Sequence, residues 1–348
     1  MNADSLVNVH NEWDRLEEVI VGVADHARVP MGDKGLHAIR YRETAGIDSI
    51  PSGPHRPDII KKANEELDLL AEKFVELGVK VRRPEVTDHS LTFGTPDWQS
   101  DSMYNYCPRD IFLAVGSTVL ETPMSLRSRF LETFAYKSIM LDYMRSGANW
   151  VSAPKPALLD EGYNLADPDR FAVLEMEPVF DAANILKMGQ DLIYLVSDTG
   201  NRLGAQWLQT FLGDQYRVHP CDDLYAQTHI DTTIVLIRPG LVLLNPERVG
   251  EHNLPAPLAH WDKIYPSPMV DIGYEGIAYG SAWVGMNLLM VSPELAIVDE
   301  RQVDLIRLLN ANGVDVEPMR LTHARTLGGG FHCVTLDTRR AGTLEDYT

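Results

Sequence analysis

The residues best suited to chemistry in this 348-residue sequence surround a cysteine near its C-terminal end. Cys333 follows three glycines and a Phe-His pair in "TLGGGFHCVTLDTRR", residues 326–340. Glycine lets other groups approach the backbone closely and adopts positive φ without steric cost. So little side chain before a cysteine is atypical of a hydrophobic core, and we expect another molecule to reach the sulfur.

Acidic residues stand directly before three apolar β-hairpins that the sequence predicts. They are Asp110 in "CPRDIFL", Asp181 in "EPVFDAANIL" and Asp231 in "THIDTTIVL". His229 lies two residues before Asp231, and on a strand both side chains would point to the same face. A single Asp at such a place is commonly a turn former. Three at equivalent places, with a histidine, indicate a polar site at one end of the strands.

A cysteine, a histidine and several carboxylates together suit a substrate that carries a guanidinium group. A thiolate attacks electron-poor carbon, and a histidine moves protons between the attacking and leaving groups. An ester or amide would leave the further carboxylates without a role, whereas a guanidinium pairs with carboxylates through its planar set of N–H donors. Its positive charge would also lower the pKa of the Cys333 thiol.

Recurring apolar hairpins must position these residues. Each has an apolar run, a short turn with Gly, Pro or a polar pair, and a second apolar run, which is typical of mostly buried β-hairpins. The four clearest hairpins and a fifth hairpin-like segment cover residues 111–122, 185–197, 233–247, 288–300 and 16–24.

Helices and further strands are predicted between the hairpins. Residues 58–78 and 301–313 carry apolar side chains at helical spacing, and "VDVEPM" after the second reads as a strand. The hairpin, helix and strand pattern recurs about five times, at intervals of roughly 50 to 75 residues, which indicates a radial or stacked architecture. We therefore predict one domain over residues 1–348 whose β/α modules surround an axis, with residues 25–57 as a lid or substrate-facing segment.

The composition limits the partners of the chain. Fifty acidic against 31 basic residues give a formal net charge of -19, which disfavours nucleic acid and anionic lipid. We find no secretion signal and no run of 18 apolar residues, and we expect a cytoplasmic protein without membrane association. The three cysteines, at positions 107, 221 and 333, are too few and too scattered for a disulfide framework or a thiolate zinc site.

Several motifs resemble those of the arginine amidinotransferases, a family that includes glycine and inosamine-phosphate amidinotransferases. The resemblance runs from "VNVHNEWDRLEEVIVG" to the C-terminus and includes "CPRDIFLAVGSTVLETPMSLRSRFLE", "EPVFDAANIL", "THIDTT" and "TLGGGFHCVTLDTRRAGTLEDY". It implies an α/β fold, the five-bladed α/β propeller with pseudo-fivefold ββαβ modules of the guanidino-group-modifying superfamily. It also implies a transferase of natural-product biosynthesis with small-molecule substrates, no metal and no organic cofactor, and it allows a homodimer.

The resemblance assigns catalytic roles to three positions. Cys333 in "GGGFHC" would be the nucleophile that takes the amidino group from L-arginine, and His229 would be the general acid and base. Asp181 in "FDAA" would orient His229. The implied reaction is ping-pong: ornithine leaves, an S-amidino cysteine remains, and a primary amine then takes the amidino group.

The resemblance also assigns substrate-binding roles. Asp110 in "PRD" and Asp231 in "HID" would hold the guanidinium group. Arg248 in "NPERV" would bind the substrate carboxylate, with Ser281 in "GSAW" as a weaker contact. Tyr104, six residues before Asp110, would be a wall of the pocket.

The acceptor amine stays open between lysine, glycine and an aminocyclitol. Asp222 and Asp223, in the loop "CDDLYAQTH", favour a cationic or zwitterionic acceptor such as lysine or glycine. Lys34, Arg40 and Arg42 offer contacts for the phosphate of an aminocyclitol phosphate instead.

Two alternative functions also stay open. An arginine deiminase-like hydrolase would use water as the acceptor at the same site, and a catalytically silent propeller would bind an arginine-like ligand without turnover. A papain-like cysteine peptidase is disfavoured, because it needs an orienting Asn and a peptide cleft and leaves the paired carboxylates without a role.

Overall fold

A computed structural model describes residues 5–348 of the chain. The strands in this range are β1 (Leu16–Val21), β2 (Arg28–Val29), β3 (Gly53–Pro54), β4 (Lys80–Arg82), β5 (Phe93–Gly94), β6 (Gln99–Ser100), β7 (Phe112–Val115), β8 (Thr118–Glu121), β9 (Asn149–Ser152), β10 (Ile185–Met188), β11 (Asp191–Leu195), β12 (Arg217–Cys221), β13 (Ile234–Arg238), β14 (Leu241–Leu244), β15 (Asp262–Ile264), β16 (Leu289–Ser292), β17 (Leu295–Asp299), β18 (Asp315–Met319) and β19 (Thr335–Arg340). The α-helices are α1 (Lys34–Arg40), α2 (Pro57–Glu76), α3 (Pro108–Ile111), α4 (Lys137–Arg145), α5 (Arg202–Leu212), α6 (Val303–Ala311) and α7 (Ala324–Leu327). None of these described helices has the length and apolar character that crossing a bilayer requires.

Fifteen of the strands form five three-stranded sheets of the same design. In each sheet two strands pair antiparallel and the third pairs in parallel with the middle strand, as in β10-β11-β12. A parallel third strand needs a crossover connection. The crossover is α2, α4, α5 or α6 in four sheets, whereas the β13-β14-β15 sheet has only the 3-10 turn Ala256–Leu258. The predicted hairpin, helix and strand repeat is therefore present in the fold.

The fifth sheet joins the two ends of the chain, and here one prediction is wrong. Residues 16–24 do not form a hairpin; they hold the single strand β1. Its antiparallel partner is β19, in a register that pairs Val19 with Asp337 and Val21 with Thr335. An apolar run shows that a strand forms, but it carries no information about a partner more than 300 residues away, so local patterning could not reveal this pairing.

The predicted helices lie close to their expected positions. In α2 the buried side chains include Ile59, Leu67, Leu70 and Phe74, all of them on the predicted apolar face. Gly78 follows the helix with φ +78°, the left-handed backbone that favours glycine at such an end. Apolar clusters run between neighbouring sheets, so the helices and sheets share continuous cores.

A buried ion network links three of the sheets close to their site-bearing ends. Arg109 lies 2.7 Å from Asp337, and Lys187 lies 3.7 Å from the same carboxylate and 2.9 Å from Glu12. Burial raises the pKa of Asp337, but Lys187, Arg109 and Arg340 hold it well below its usual range. Removing one member would leave an uncompensated buried charge at a cost of about 3–5 kcal/mol. The network therefore fixes these sheets relative to one another.

Candidate active site

A cavity of about 130 Å³ opens where chain segments that lead into the strands meet two long irregular segments. These segments are residues 25–57, which contribute Ile39 and Arg40 from the end of the short helix α1, and residues 265–281. The other polar and aromatic residues that line the cavity are Tyr225, Gln227, Thr228, His229, Asp231, Thr232, Tyr279, Ser281, Asn287 and Cys333. The prediction that residues 25–57 face the substrate agrees with this placement.

Each of the five sheets supplies one polar residue, which stands just before the strand that pairs antiparallel with the middle strand. Asp110 precedes β7, Asp181 precedes β10, Asp231 precedes β13, Asn287 precedes β16 and Cys333 precedes β19. Because the sheets share one design, these places are equivalent in the five modules. The repeat therefore explains how residues far apart in the sequence come together.

Cys333, His229 and Asp110 form the centre of the site. All three residues are buried. The Cys333 sulfur, a ring nitrogen of His229 and a carboxylate oxygen of Asp110 lie within 4.8 Å of one another. His229 Nε2 lies 3.1 Å from Asp181 Oδ2, and His229 Nδ1 lies 3.7 Å from Asp110 Oδ1. A metal ligand must offer a free lone pair. Both ring nitrogens of His229 face carboxylates instead, which suits proton transfer.

The backbone of His229 differs from the prediction. His229 lies before a turn at residues 231–233 that leads into β13, so His229 and Asp231 do not alternate along a strand. His229 has φ +64°, a left-handed conformation that costs a non-glycine residue about 1–3 kcal/mol. Such strain is common at functional sites. The two side chains still converge on Cys333, but the turn and the positive φ of His229 place them there, and not the alternation of a strand.

Both carboxylates beside His229 are held by other groups. Asp181 Oδ1 accepts hydrogen bonds from the backbone N–H and the hydroxyl of Ser125, at 3.1 and 2.9 Å. Asp110 Oδ2 pairs with Arg129 at 2.5 Å, while Asp110 Oδ1 is buried without a hydrogen-bond partner. Asp110 does not itself line the cavity, but this oxygen lies 3.7 Å from Nδ1 of His229, which does, so it is an acceptor without a partner among residues 5–348 beside the cavity.

The charge state of His229 follows from these neighbours. Burial lowers the pKa of His229, but Asp110 and the hydrogen bond with Asp181 outweigh it and raise the pKa to about 10. Burial raises the pKa of Asp181, whereas His229 lowers it, and the net shift is downward. At neutral pH the imidazolium form of His229 therefore lies between two carboxylates.

The sulfur of Cys333 lies among groups that disfavour its anion. The neighbouring Cys107 thiol, burial and Asp231 raise the pKa of Cys333 well above its usual range, and His229 opposes them. The thiol donates to Asp231 Oδ2 at 3.1 Å. A cation that pairs with Asp231 would reverse this balance.

Asn287 is a site residue that the sequence analysis missed. Its Nδ2 donates to Cys333 Sγ at 3.1 Å. Its Oδ1 accepts the backbone N–H groups of His332 and Cys333, at 3.0 and 3.1 Å. The signal is its place before the hairpin at residues 288–300, equivalent to the places of the three Asp residues, but a neutral amide carries no charge that marks it as part of a polar site.

Asp231 is oriented by a second histidine that the sequence analysis also missed. His332 Nδ1 lies 3.0 Å from Asp231 Oδ2, and His332 Nε2 lies 3.3 Å from Glu12 Oε2. Burial raises the pKa of Asp231, but the bond with His332 and the charges of His332 and His229 lower it to about 2. Asp231 is therefore ionised at neutral pH and can pair with a guanidinium.

The glycines before Cys333 serve backbone shape and close packing. Gly328 lines the cavity with φ +87°. A Cβ on Gly329 would lie 2.6 Å from Cys107 Sγ, and one on Gly330 would lie 2.7 Å from Asn287 Cβ. Two of the three glycines thus allow the Cys333 loop to pack against its neighbours.

Arg248 does not itself line the cavity but lies directly behind the lining residues Tyr225, Thr232 and Ser281, which it contacts. The Arg248 guanidinium stacks 3.6 Å from the centre of the Tyr225 ring and donates to Ser281 Oγ at 3.3 Å. It also donates to the hydroxyls of Thr232 and Thr233, at 2.8 and 2.9 Å. No carboxylate of residues 5–348 lies within 4 Å of this guanidinium, so it can receive a carboxylate from a ligand.

Three predicted residues lie elsewhere. Tyr104 is buried with its ring 5.0 Å from the Arg129 guanidinium, and it does not line the cavity. Asp222 and Asp223 are also absent from the lining, and Asp222 pairs with Arg202. The acidic loop therefore gives no support for a cationic acceptor.

Three known proteins with extensive similarity to this chain are amidinotransferases by name. No protein-family model matches the chain. It is 56% identical over 345 residues to inosamine-phosphate amidinotransferase 1 of Streptomyces glaucescens, with 99% of both chains covered. It is 37% identical to the L-arginine:L-lysine amidinotransferase of Pseudomonas savastanoi pv. phaseolicola, over 97% of this chain and 95% of that protein. The solved structure of an inosamine-phosphate amidinotransferase from Streptomyces griseus matches with a TM-score of 0.97 at 55% identity and covers 99% of both chains.

Similarity of this extent, over nearly the full length of each chain, decides the family. The α/β fold is that of guanidino-group-modifying enzymes, and the resemblance that the sequence motifs indicated is confirmed. The chain belongs to the amidinotransferase family, whose members are transferases that act on small molecules.

Proposed function

We propose that this enzyme transfers the amidino group of L-arginine to a primary amine through an S-amidino intermediate on Cys333. The observation that carries the proposal is the meeting of Cys333, His229 and Asp110 within 4.8 Å, with Asp231 3.1 Å from the sulfur. We also propose that the five sheets are the blades of a five-bladed α/β propeller that forms one domain over residues 1–348. The homodimer and the cytoplasmic location stay predictions.

Arginine binding prepares the nucleophile. The guanidinium pairs with the free oxygen of Asp110 and with Asp231. Asp231 then no longer accepts the hydrogen bond from the thiol of Cys333. Arg248 binds the substrate carboxylate. With a cation beside it and the Asn287 N–H on the sulfur, the thiol loses its proton to solvent and becomes a thiolate next to the His229 imidazolium.

The first half-reaction moves the amidino group to the enzyme. The sulfur forms a bond with the guanidinium carbon, and the displaced π electrons move to nitrogen. Nε2 of His229 is held by Asp181, so the Nδ1 proton passes to the nitrogen that joins the amidino group to the ornithine chain. That C–N bond breaks, ornithine leaves, and a neutral imidazole remains beside S-amidino Cys333.

The second half-reaction uses the same groups in reverse. The acceptor amine attacks the amidino carbon and loses a proton to neutral His229. The C–S bond breaks, and its electron pair returns to the sulfur. The Asn287 N–H stabilises the departing thiolate.

For the acceptor we propose a phosphorylated aminocyclitol. The relatives with the higher identity are named for a phosphorylated inosamine, and the one named for lysine is less similar. The acidic residues that favoured lysine or glycine do not line the cavity.

Labelled L-arginine tests the reaction and the acceptor together. We expect one amidino group on the Cys333 peptide by mass spectrometry, and no label in Cys333→Ala. Cys221→Ala, which removes a thiol outside the cavity, is the matched control. Ornithine should form over many turnovers only with an amine, and fastest with an inosamine phosphate in a panel with lysine and glycine. Citrulline formed without any amine would instead establish a hydrolase.

A further inference from the structure

We infer that Arg40 forms an anion subsite in the cavity that binds the phosphate group of the acceptor amine. The inference rests on the proposed function and names the residue that would select a phosphorylated acceptor. Of the three basic residues that the sequence offered for a phosphate, only Arg40 lines the cavity; Lys34 and Arg42 do not.

Arg40 is positioned by neighbouring groups that leave part of its guanidinium free. It is the last residue of α1, and its Nη1 donates to the carbonyl oxygen of Tyr279 at 3.2 Å and to Thr228 Oγ1 at 3.3 Å. The guanidinium also lies 5.6 Å from the centre of the Tyr279 ring. Its Nε is buried and has no hydrogen-bond partner among residues 5–348.

Arg40 has no acidic partner in the part of the chain that the structure describes. No carboxylate of residues 5–348 lies within 4 Å of its guanidinium. Asp198 is close enough for Arg40 to oppose the rise in its pKa that burial causes, but its carboxylate accepts the backbone N–H of Ala172 at 2.7 Å. A partly buried arginine that lines a cavity and has no acidic partner within residues 5–348 can receive an anionic group from a ligand.

The two free arginines of the site suit two different anions. Arg248 stacks on the Tyr225 ring and donates to the hydroxyls of Thr232 and Ser281. Arg40 donates to the hydroxyl of Thr228 and to the carbonyl oxygen of Tyr279. Thr228 directly precedes His229, so a phosphate bound there places the acceptor beside the proton-transfer group. Arg248 would then serve the carboxylate of arginine, and Arg40 the phosphate of the acceptor.

Arg42 provides a matched control. It carries the same charge two residues further on, but it donates to the Asn164 carbonyl at 2.7 Å and does not line the cavity. We would compare the wild type with Arg40→Gln, Arg40→Lys and Arg42→Gln. Arg40→Lys keeps the positive charge, so it distinguishes the loss of phosphate binding from an effect of Arg40→Gln on folding.

Two measurements test the subsite. The first is calorimetric binding of inorganic phosphate, which does not depend on turnover. The second is the ratio of kcat/KM for an inosamine phosphate to that for the same inosamine without phosphate. We expect Arg40→Gln to abolish phosphate binding and to lower the ratio about 30- to 100-fold, with Arg40→Lys intermediate and Arg42→Gln like the wild type.

The outcomes separate the subsite from the proposed function. An unchanged ratio and unchanged phosphate binding in Arg40→Gln would overturn the subsite even if amidino transfer is confirmed. A higher KM for arginine with an unchanged ratio would assign Arg40 to the arginine carboxylate and would also overturn it. If the wild type never labels Cys333, the proposed function fails, and phosphate binding that depends on Arg40 would still support the subsite.

Discussion

The inner and outer parts of the cavity are built in different ways. At the inner part, Cys333, Asp231 and Asn287 come from equivalent places just before strands, and each makes several hydrogen bonds. At the outer part, Arg40 ends the short helix α1 and Ser281 stands in an irregular segment, and both belong to long connections between the sheets. Rigid elements hold reacting groups more accurately than loops do, and loops tolerate change more readily. On the proposed function, the repeat therefore fixes the reacting groups, and the connecting segments are free to select the acceptor.

The largest effect is expected where the inner part loses the partner of its proton-transfer group. Asp181→Asn would remove the negative charge that holds His229 Nε2 at 3.1 Å. We expect kcat to fall about 10³- to 10⁴-fold, as when the carboxylate behind a catalytic histidine is removed elsewhere. Because Asp181 raises the pKa of His229, the alkaline limb of kcat/KM for arginine should move to lower pH.

Ser125→Ala provides a graded comparison for that variant. It removes one of the two hydrogen bonds from Ser125 to Asp181 Oδ1 and keeps the backbone bond. We expect a loss of kcat of about tenfold. Equal losses in the two variants, or an unchanged pH profile in Asp181→Asn, would contradict the role given to Asp181.

The second prediction separates substrate binding from nucleophile activation within the inner part. Asp231→Asn removes an anion 3.1 Å from the sulfur, so the pKa of the Cys333 thiol in the free enzyme should fall. It also removes a partner of the guanidinium, so KM for arginine should rise about 100-fold. The pH dependence of iodoacetamide alkylation and steady-state kinetics measure the two effects. A rise in the alkylation pKa of Cys333 together with a rise in KM for arginine would show that Asp231 acts in another way.

Much of the fold could be predicted from the sequence, because its signals are local. Apolar runs around a turn predict hairpins, and helical spacing predicts α2 and α6. The pairing of β1 with β19 could not be predicted in this way, since it joins the two ends of the chain. Neither could the positive φ of His229, because the surrounding contacts and not its own residue type impose it.

The site was predictable where residue type carried the signal. Acidic residues before hairpins drew attention to Asp110 and Asp181, but Asn287 at the equivalent place is neutral and was missed. Asp222 illustrates the opposite error, because its charge suggested a cationic acceptor although Arg202 pairs with it away from the cavity. The sequence identifies a charged residue, whereas only the structure shows whether that residue already forms an ion pair within the protein.

A third, smaller effect is expected at Asn287, which holds the sulfur in the inner part. Asn287→Asp keeps an oxygen for the backbone N–H groups of His332 and Cys333 but replaces the donor to the sulfur with an acceptor. We expect kcat to fall about 30-fold, because the thiolate loses a hydrogen bond. The alkylation pKa of Cys333 should rise, which loss of packing alone would not cause. An unchanged alkylation profile would limit Asn287 to a structural role.

The smallest effect is expected at the outer part. Ser281→Ala removes one neutral acceptor, 3.3 Å from Arg248, while the hydroxyls of Thr232 and Thr233 still hold that guanidinium. We expect KM for arginine to rise about threefold to fivefold with little change in kcat, because one neutral hydrogen bond contributes about 1 kcal/mol. Tyr104→Phe, at a buried residue that does not line the cavity, is the control and should leave KM within about twofold. A loss of kcat in Ser281→Ala as large as that in Asn287→Asp would erase the contrast between the two parts, because the irregular segments would then position the reacting atoms as well.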